Sequence, residues 1–197
     1  MAYNEFESDT SKLLLQAVNV LLNTIGEDSI ETEEDFIKVR EAKLAVDTLI
    51  ETKKEVLADE WDVNYDADYT LPVSTTGKIT IPYNVLEVNS TDGDLIARNW
   101  VLYSKSDQST VFTEAQTVNV VWDVLFNSIP HALRNYITIR ASRKFQARQI
   151  MDTSVYAYTK EDEDEAFLIA KRSNGRTIKA NMFTSTYGQN YMVDGSL

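Results

Sequence analysis

The pattern of apolar and polar positions is clearest between Ser128 and Gln149, where it has the period of an α-helix. Four residues spaced four apart form the main apolar stripe: Leu133, Ile137, Ala141 and Phe145. Such spacing places them on one helix face. Ser128 can cap this helix, and Pro130 falls near its first turn, where a missing N–H costs no hydrogen bond. Because Tyr136 and Ile139 lie on the far side, the helix needs neighbours on several sides.

The same segment is strongly basic, and no Asp or Glu occurs between Asp123 and Asp152. Its cationic residues are candidates for contacts with acidic neighbours or partners: Arg134, Arg140, Arg143, Lys144 and Arg148. Two interpretations are open. These side chains can pair with acids of their own chain in a central bundle helix, or they can reach another subunit or nucleic acid.

The first third of the chain predicts two further helices. Residues 10–25 repeat apolar positions at helical intervals, and Gly26 follows as a left-handed C-cap. Residues 32–59 sustain a helical spacing, with Thr32 as N-cap and acids in the first turn. Only Lys53 interrupts this second stripe. A helix of that length, about 40 Å, is typical of an antiparallel bundle.

Apolar and polar residues then alternate over residues 61–71, which predicts a strand that Pro72 ends. Shorter β-rich stretches follow, separated by polar turn sequences: 78–81, 85–88, 100–103 and 110–112. A better strand is predicted over residues 118–126, and the sequence TDGD at 91–94 fits a hairpin turn. These elements predict a small antiparallel sheet or sandwich.

The acids of the first strand also raise a metal hypothesis. Four residues have the spacing that opens a calcium loop: Asp62, Asn64, Asp66 and Asp68. However, the sixth position is Ala67 rather than Gly, and the twelfth is Val73 rather than Glu. Strand alternation explains the spacing fully, so we expect no calcium site.

Residues 156–172 predict the last helix, which Gly175 stops. Its early turns carry an acidic run at 161–165, either as a solvated face or as a face packed against the basic helix. Residues 176–197 have no period but are rich in apolar and aromatic side chains. Three of these are candidate contact residues: Phe183, Tyr187 and Tyr191. We predict an arm that docks on its own domain or on a neighbour.

This order of elements predicts an α+β protein. An antiparallel bundle of about four helices, two N-terminal and two C-terminal, would carry an inserted small antiparallel β-region. We predict four segments: the N-terminal helices at residues 1–60, the β-region at 61–127, the C-terminal helices at 128–175 and the C-terminal arm at 176–197. A length of 197 residues suits one domain with such an insertion.

Charge is distributed unevenly along the chain. The whole net charge of −12 arises in residues 1–68, which hold 18 Asp and Glu against 6 Lys and Arg. An acidic surface argues against a sequence-reading DNA binder, which would show a basic patch. It is compatible with a wall past which DNA slides without binding.

Composition excludes several kinds of chemistry. The chain has no cysteine, and therefore neither disulfides nor thiolate metal sites. The one histidine, His131, has no accompanying nucleophile motif and is interpreted as a capping or surface residue. No phosphate-binding loop, dinucleotide fingerprint, signal peptide or apolar run of membrane-spanning length occurs. We expect no cofactor, no metal and no membrane insertion.

Four segments, in one order and with compatible spacing, carry a family resemblance over about half of the chain. They are LLLQAVNVLLNTIGEDSIET, the long helix leading into EWDVNYDADYTL, then TVNVVWDVLFNSIPHALRNYITIRASRKFQ, and KEDEDEAFLIAK. The third is the most specific, with its strand, its Pro-initiated helix and its Ala-Ser-Arg-x-Phe. Together they resemble the tail tubular protein A family, the adaptors of short-tailed bacteriophages.

This resemblance implies a homo-oligomeric ring, dodecameric in the family, in the virion tail. Such a ring binds beneath the portal protein, receives the nozzle protein (tail tubular protein B) below, and helps to form the seat for tail fibres. DNA would pass through its lumen without sequence-specific binding, and the protein would be made in the host bacterial cytoplasm. We expect part of the acidic surface to face the lumen and the basic helix to turn inward or toward neighbouring subunits.

Two other classes of function stay open. One is another head-completion or connector protein, which would form a ring of different symmetry or bind a different neighbour. The other is a tail-associated cell-wall hydrolase, which would need a carboxylate or His131 whose replacement abolishes turnover and leaves assembly intact. Because no catalytic signature is present, we predict a non-enzymatic structural protein.

Overall fold

The computed structural model describes residues 10–150 and 157–184. Its element order confirms the α+β class, with helices before and after the strands of a five-stranded antiparallel sheet along the chain. The helices are α1 (Thr10–Asn23), α2 (Asp35–Lys38), α3 (Arg40–Leu57), α4 (His131–Gln149) and α5 (Lys160–Thr184). The strands are β1 (Tyr65–Leu71), β2 (Val85–Asn89), β3 (Leu95–Arg98), β4 (Val101–Ser104) and β5 (Gln116–Trp122). In the described segments, none of the helices combines the length and apolarity needed to cross a membrane.

The helices enclose the larger of two hydrophobic cores, and α4 lies at its centre. All four residues of the predicted α4 stripe are buried, and α4 packs against α1, α3 and α5. On another face of the helix, the ring of Tyr136 lies 5.2 Å from the ring of Phe167 on α5. The prediction that this helix is covered on several sides is confirmed.

The single long helix predicted over residues 32–59 is wrong, because the chain breaks it at Val39. Val39 is extended (φ −98°, ψ 121°), so α2 is one short turn and α3 begins at Arg40. Glu34, rather than Thr32, occupies the N-cap position of α2. Thr32 lies outside the helix, where its N–H and hydroxyl donate to the Asp35 carboxylate. The apolar spacing continues across the break, so periodicity could not reveal it.

The strand predicted from Trp61 begins only at Tyr65. Trp61 is instead buried in the helical core, and its indole N–H donates to the Val56 carbonyl at the end of α3. β1 then pairs with β5, with an irregularity between Asp66 and Tyr69. The alternating pattern of residues 61–71 therefore covers two different structures. Trp61 is buried in the helical core, and the strand itself is shorter than predicted.

The sheet has the order β1-β5-β2-β3-β4 and covers the second, smaller core. The strands predicted at 85–88, 100–103 and 118–126 correspond to β2, β4 and β5, although β5 ends at Trp122 and a 3₁₀ turn follows at Phe126–Ser128. Residues 78–81 contribute one isolated bridge rather than a strand, and β3 was missed. The hairpin turn predicted at 91–94 is confirmed by Gly93, whose φ is +72°.

Both C-terminal helices begin later than predicted, α4 ends at Gln149 as predicted, and α5 extends further. The N-cap of α4 is Pro130, while Ser128 lies in the preceding 3₁₀ turn. Helix α5 begins at Lys160 because Thr159 and Asp162 exchange hydrogen bonds in a capping box. It then continues through Gly175 to Thr184, so Gly175 does not stop it. A glycine inside a helix costs only about 1 kcal/mol, which a continuous helix can absorb.

Candidate functional site

The basic side chains of α4 lie between two helices that each present carboxylates to them. On one side, α3 presents Glu51 and Glu55, and on the other side α5 presents Glu163. This position follows from the bundle, because α4 packs against α3 and α5 at once. We call this set of cations and carboxylates the α4 charge cluster.

Arg148 and Lys144 are paired with α3. The two terminal nitrogens of Arg148 donate to both oxygens of Glu51, at 2.7 and 3.0 Å. This hydrogen bonding lowers the pKa of Glu51 and raises the pKa of Arg148. The ammonium group of Lys144 donates to Glu55. Because the Arg148 and Glu51 side chains are each 47% exposed, solvent screens this pair strongly.

Arg140 and Arg143 converge on Glu163 of α5. Arg143 donates to one carboxylate oxygen of Glu163, and Arg140 lies 3.8 Å from the other oxygen. Arg140 also donates to the Tyr136 hydroxyl at 2.9 Å. A groove of about 440 Å³ opens between α4 and α5 over this network, and Lys160 forms part of its wall. The groove is predominantly cationic, because four basic residues and one acid line it.

Arg134 does not belong to the charge cluster. Its guanidinium donates to the backbone carbonyls of Asn127 and Ile129, at 3.1 and 2.7 Å, and so ties α4 to the 3₁₀ turn before it. Burial lowers the pKa of Arg134. Four of the five candidate cations therefore pair with acids of their own chain, while the fifth holds backbone.

The acidic run of α5 behaves in two ways. Glu163 is buried against α4, whereas Glu161, Asp164 and Glu165 are exposed. The predicted contact between the acidic run and the basic helix is therefore made by Glu163. The other interpretation, a face exposed to solvent, holds for Glu161, Asp164 and Glu165. Of the three aromatic candidates, Phe183 falls in the last turn of α5, and Tyr187 and Tyr191 lie outside the described residues. Their role as contact residues stays a prediction.

A second charged site, which the sequence did not reveal, joins the bundle to the sheet. The Lys53 ammonium lies 2.9 Å from an Asp123 carboxylate oxygen, and the two side chains are 1% and 8% exposed. The same ammonium donates to the Val124 carbonyl at 3.1 Å. Asp123 directly follows β5, so the pair fixes the end of the sheet to α3. In the sequence, this site is indicated only by Lys53, which interrupts the apolar stripe of α3.

Asn64 completes this junction. Its side-chain amide donates to the carbonyls of Leu57, at the end of α3, and Trp122, at the end of β5, at 2.8 and 2.9 Å. Its side-chain oxygen accepts from the Trp61 N–H at 3.0 Å. With Lys53 and Asp123, these residues form what we call the bundle–sheet junction.

The described residues contain no group of three or more His, Asp or Glu side chains that could hold a metal ion. His131 is the first residue of α4 and is exposed to solvent. The charged side chains of the α4 charge cluster and of the junction are engaged in packing and ion pairing.

Comparison with known proteins agrees with this architecture. Residues 15–179 match the model of a protein family described as tail tubular protein. No curated protein matches the chain. The family match extends from α1 to the second half of α5 and includes the whole charge cluster and the junction. On this evidence the chain belongs to the tail tubular protein family and is a structural component of the bacteriophage tail.

Proposed function

We propose that, within the tail, this protein forms the adaptor ring between the portal protein and the nozzle. The ring would be a homo-oligomer with twelve copies, as the resemblance to the tail tubular protein A family implies. It would contribute to the DNA conduit and to the seat for tail fibres. The protein would be synthesised in the host cytoplasm and would act without catalysis.

The observation that carries this proposal is the division of charge within the chain. Four cations of α4 pair with Glu51, Glu55 and Glu163 of the same subunit. Meanwhile, other acids of the N-terminal third remain exposed: Glu27, Asp28, Glu31, Asp59 and Glu60. A conduit for DNA needs this arrangement, because an accessible cation would bind phosphates by releasing counterions and an acidic wall does not.

Surfaces for partners are proposed on the C-terminal half. The groove over Arg140 and Arg143 is lined by four cations and one acid, so we place it away from the lumen, against an acidic segment of a neighbouring subunit or of the portal. The segment 176–197, with its aromatic residues, would dock on an adjacent subunit or partner ring. Deleting residues 185–197 should leave a folded protein that enters tails poorly, and normal incorporation would contradict this role.

Imaging tests the ring directly. Electron microscopy of the purified protein, alone and mixed with portal, should show a ring of twelve subunits seated on the portal. Another symmetry, or binding to a different neighbour, would favour a different connector or head-completion protein. Turnover of peptidoglycan that one substitution abolishes without affecting assembly would favour a hydrolase.

The acidic lumen has its own experiment. Changing Glu27, Asp28 and Glu31 together to Lys should slow DNA ejection, and slow it more at low salt than at high salt. As a control, Asp107 and Glu114 are changed to Lys. Both are exposed acids, but they lie in the β-region rather than on the N-terminal acidic surface. Equal ejection rates in all variants at both salt concentrations, or a lumen lined mainly by α4 cations, would reject this arrangement.

A further inference from the structure

We propose that neighbouring copies of this chain contact each other through two complementary surfaces, an aromatic tip and an acidic groove. The aromatic tip consists of Tyr83, Arg98 and Trp100. The α2–α3 groove is lined by Glu33, Glu34, Phe36, Ile37, Lys43, Val46 and Asp47. The proposal deepens the adaptor-ring function, on which it rests, by naming the surfaces that join the subunits.

The tip is a tight hairpin turn that presents an indole to solvent. Arg98 pairs with Val101, so Asn99 and Trp100 form a two-residue turn between β3 and β4. Both have left-handed dihedral angles, with φ of +53° and +62°. Asn suits such a turn, but the second position favours Gly, so Trp100 stands where a bulky side chain is strained. Strained backbone of this kind concentrates at functional sites.

The tip also has the composition of an interface anchor. Trp100 and Tyr83 are 58% and 56% exposed. The Ile81 N–H donates to the Trp100 carbonyl at 2.9 Å, which joins the backbone before Tyr83 to the turn. Arg98 is exposed, and its guanidinium carbon lies 3.8 Å from the ring centroid of Tyr103 on β4. Trp, Tyr and Arg are the residue types most enriched at binding hot spots.

The groove is created by the break at Val39. Because the helix is interrupted there, Phe36 turns into the core while Ile37 projects outward and is 81% exposed. The resulting concavity of about 460 Å³ is large enough to take an indole. Three acids and one lysine line it, so its rim is net negative. An apolar floor with a negative rim matches an aromatic anchor that carries an arginine.

The two surfaces belong to different parts of the chain. The groove is at the first turns of α3, around Lys43 and Asp47, whereas the bundle–sheet junction is at its last turns, around Lys53 and Leu57. The rise of an α-helix separates Lys43 from Leu57 by about 20 Å. The tip joins β3 and β4, at the end of the sheet opposite β1. In the proposed ring a second copy would supply the partner surface, and a contact between unlike surfaces repeats head to tail and can close a ring.

Cross-linking tests this contact, and the absence of cysteine makes it specific. Ala97→Cys lies beside the tip and Lys43→Cys lies on the groove, and both positions are exposed. In purified oligomers and in tail complexes from infected cells, a short bismaleimide should convert the double variant into a ladder of covalent multimers. A mixture of the two single variants should give dimers only, and each single variant alone should give none. As a matched control, Ala97→Cys combined with exposed Glu161→Cys should give no ladder.

Parallel native mass measurements separate the two proposals. Oligomers of the parent size without the tip-to-groove cross-link would overturn this contact and leave the ring proposal standing. Dimers from one single variant would show a like-with-like contact and would also overturn it. Absence of any oligomer in both preparations would overturn the ring proposal and this contact together.

Substitutions at the tip test its chemistry. Arg98→Glu should weaken association between subunits at least tenfold. Adding Asp47→Lys in the groove to this variant should restore part of the lost association. As a control, Lys105→Glu, elsewhere on the β-region, should leave association unchanged. Trp100→Gly should raise the melting temperature of the subunit, because it relieves the strained turn, and should abolish assembly. Retained assembly in Trp100→Gly, or no rescue by Asp47→Lys, would overturn the proposal.

Discussion

Helix α3 takes part in two ion-pair sites that differ in their exposure to water. On one face, Lys53 meets Asp123 with almost no solvent access to either side chain. On another face, Glu51 meets Arg148, and both of these side chains are nearly half exposed. Both pairs involve α3 and have similar contact distances, and they differ most in burial.

The difference in burial indicates which ion pairs stabilise the fold and which mainly determine the charge of the surface. A buried pair has given up its hydration, so removing one partner leaves an uncompensated ion in an apolar environment. An exposed pair is screened and can exchange its partner for water. We therefore expect substitutions in the bundle–sheet junction to change the stability of the fold most. We expect substitutions in the α4 charge cluster to change mainly the electrostatic attraction between the surface and charged partners.

The largest effect is expected from Asp123→Ala. It removes the carboxylate and leaves the Lys53 ammonium buried, which should lower the free energy of unfolding by about 3–5 kcal/mol. Chemical denaturation followed by circular dichroism measures this change. Lys54→Ala is the control, because Lys54 approaches the same carboxylate at 3.7 Å but is 53% exposed. If both variants lost similar stability, burial would not be the deciding difference.

Asn64→Ala should have the next largest effect. The substitution leaves the Trp61 N–H and the carbonyls of Leu57 and Trp122 without their partner, at a cost of about 2–3 kcal/mol. Hydrogen exchange should show loss of protection at the ends of both α3 and β5. Loss confined to one of these elements would contradict the view that Asn64 couples them.

Glu163→Gln tests an intermediate case. Glu163 is mostly buried but its partners Arg140 and Arg143 reach solvent. The neutral amide keeps the shape and one acceptor, so we expect a loss of about 1–2 kcal/mol in urea denaturation. A loss as large as that of Asp123→Ala would place this pair with the buried class instead.

Arg148→Ala should have the smallest effect on stability, and the effect should shrink as salt rises. The pair also depends on pH. Because hydrogen bonding to Arg148 lowers the pKa of Glu51 in the folded protein, its stabilisation is present at neutral pH. It is lost as pH falls through the ordinary glutamate range and below, under about pH 4. Melting curves of the parent and Arg148→Ala should converge there, and a constant gap at all pH values would contradict this assignment.

Local patterns predicted the elements whose evidence lies in neighbouring residues. The stripe from Leu133 to Phe145 is buried because a helix brings residues four apart to one face. The C-cap glycine at Gly26 and the turn glycine at Gly93 have the positive φ that their positions require. In the charge cluster, the absence of acids within α4 indicated that acidic neighbours were needed, and the structure supplies them from α3 and α5.

Elements that depend on distant residues could not be predicted in this way. Lys53 looked like an interruption of a stripe, but it is buried because Asp123, far along the chain, meets it. Val39 fits the apolar spacing and yet breaks the helix, and Gly175 fits a helix stop and yet lies inside one. At Lys53 a tertiary contact outweighs the local pattern, whereas at Gly175 the helix absorbs the small cost of the glycine.

The geometry of Asn64 has a mechanical consequence for the assembled particle. One amide nitrogen bonds the last turn of α3 and the last residue of β5 at the same time. Pulling the end of β5 away from the end of α3 therefore requires breaking at least one of these bonds. Through this single side chain, a force that would separate the sheet from the bundle is resisted.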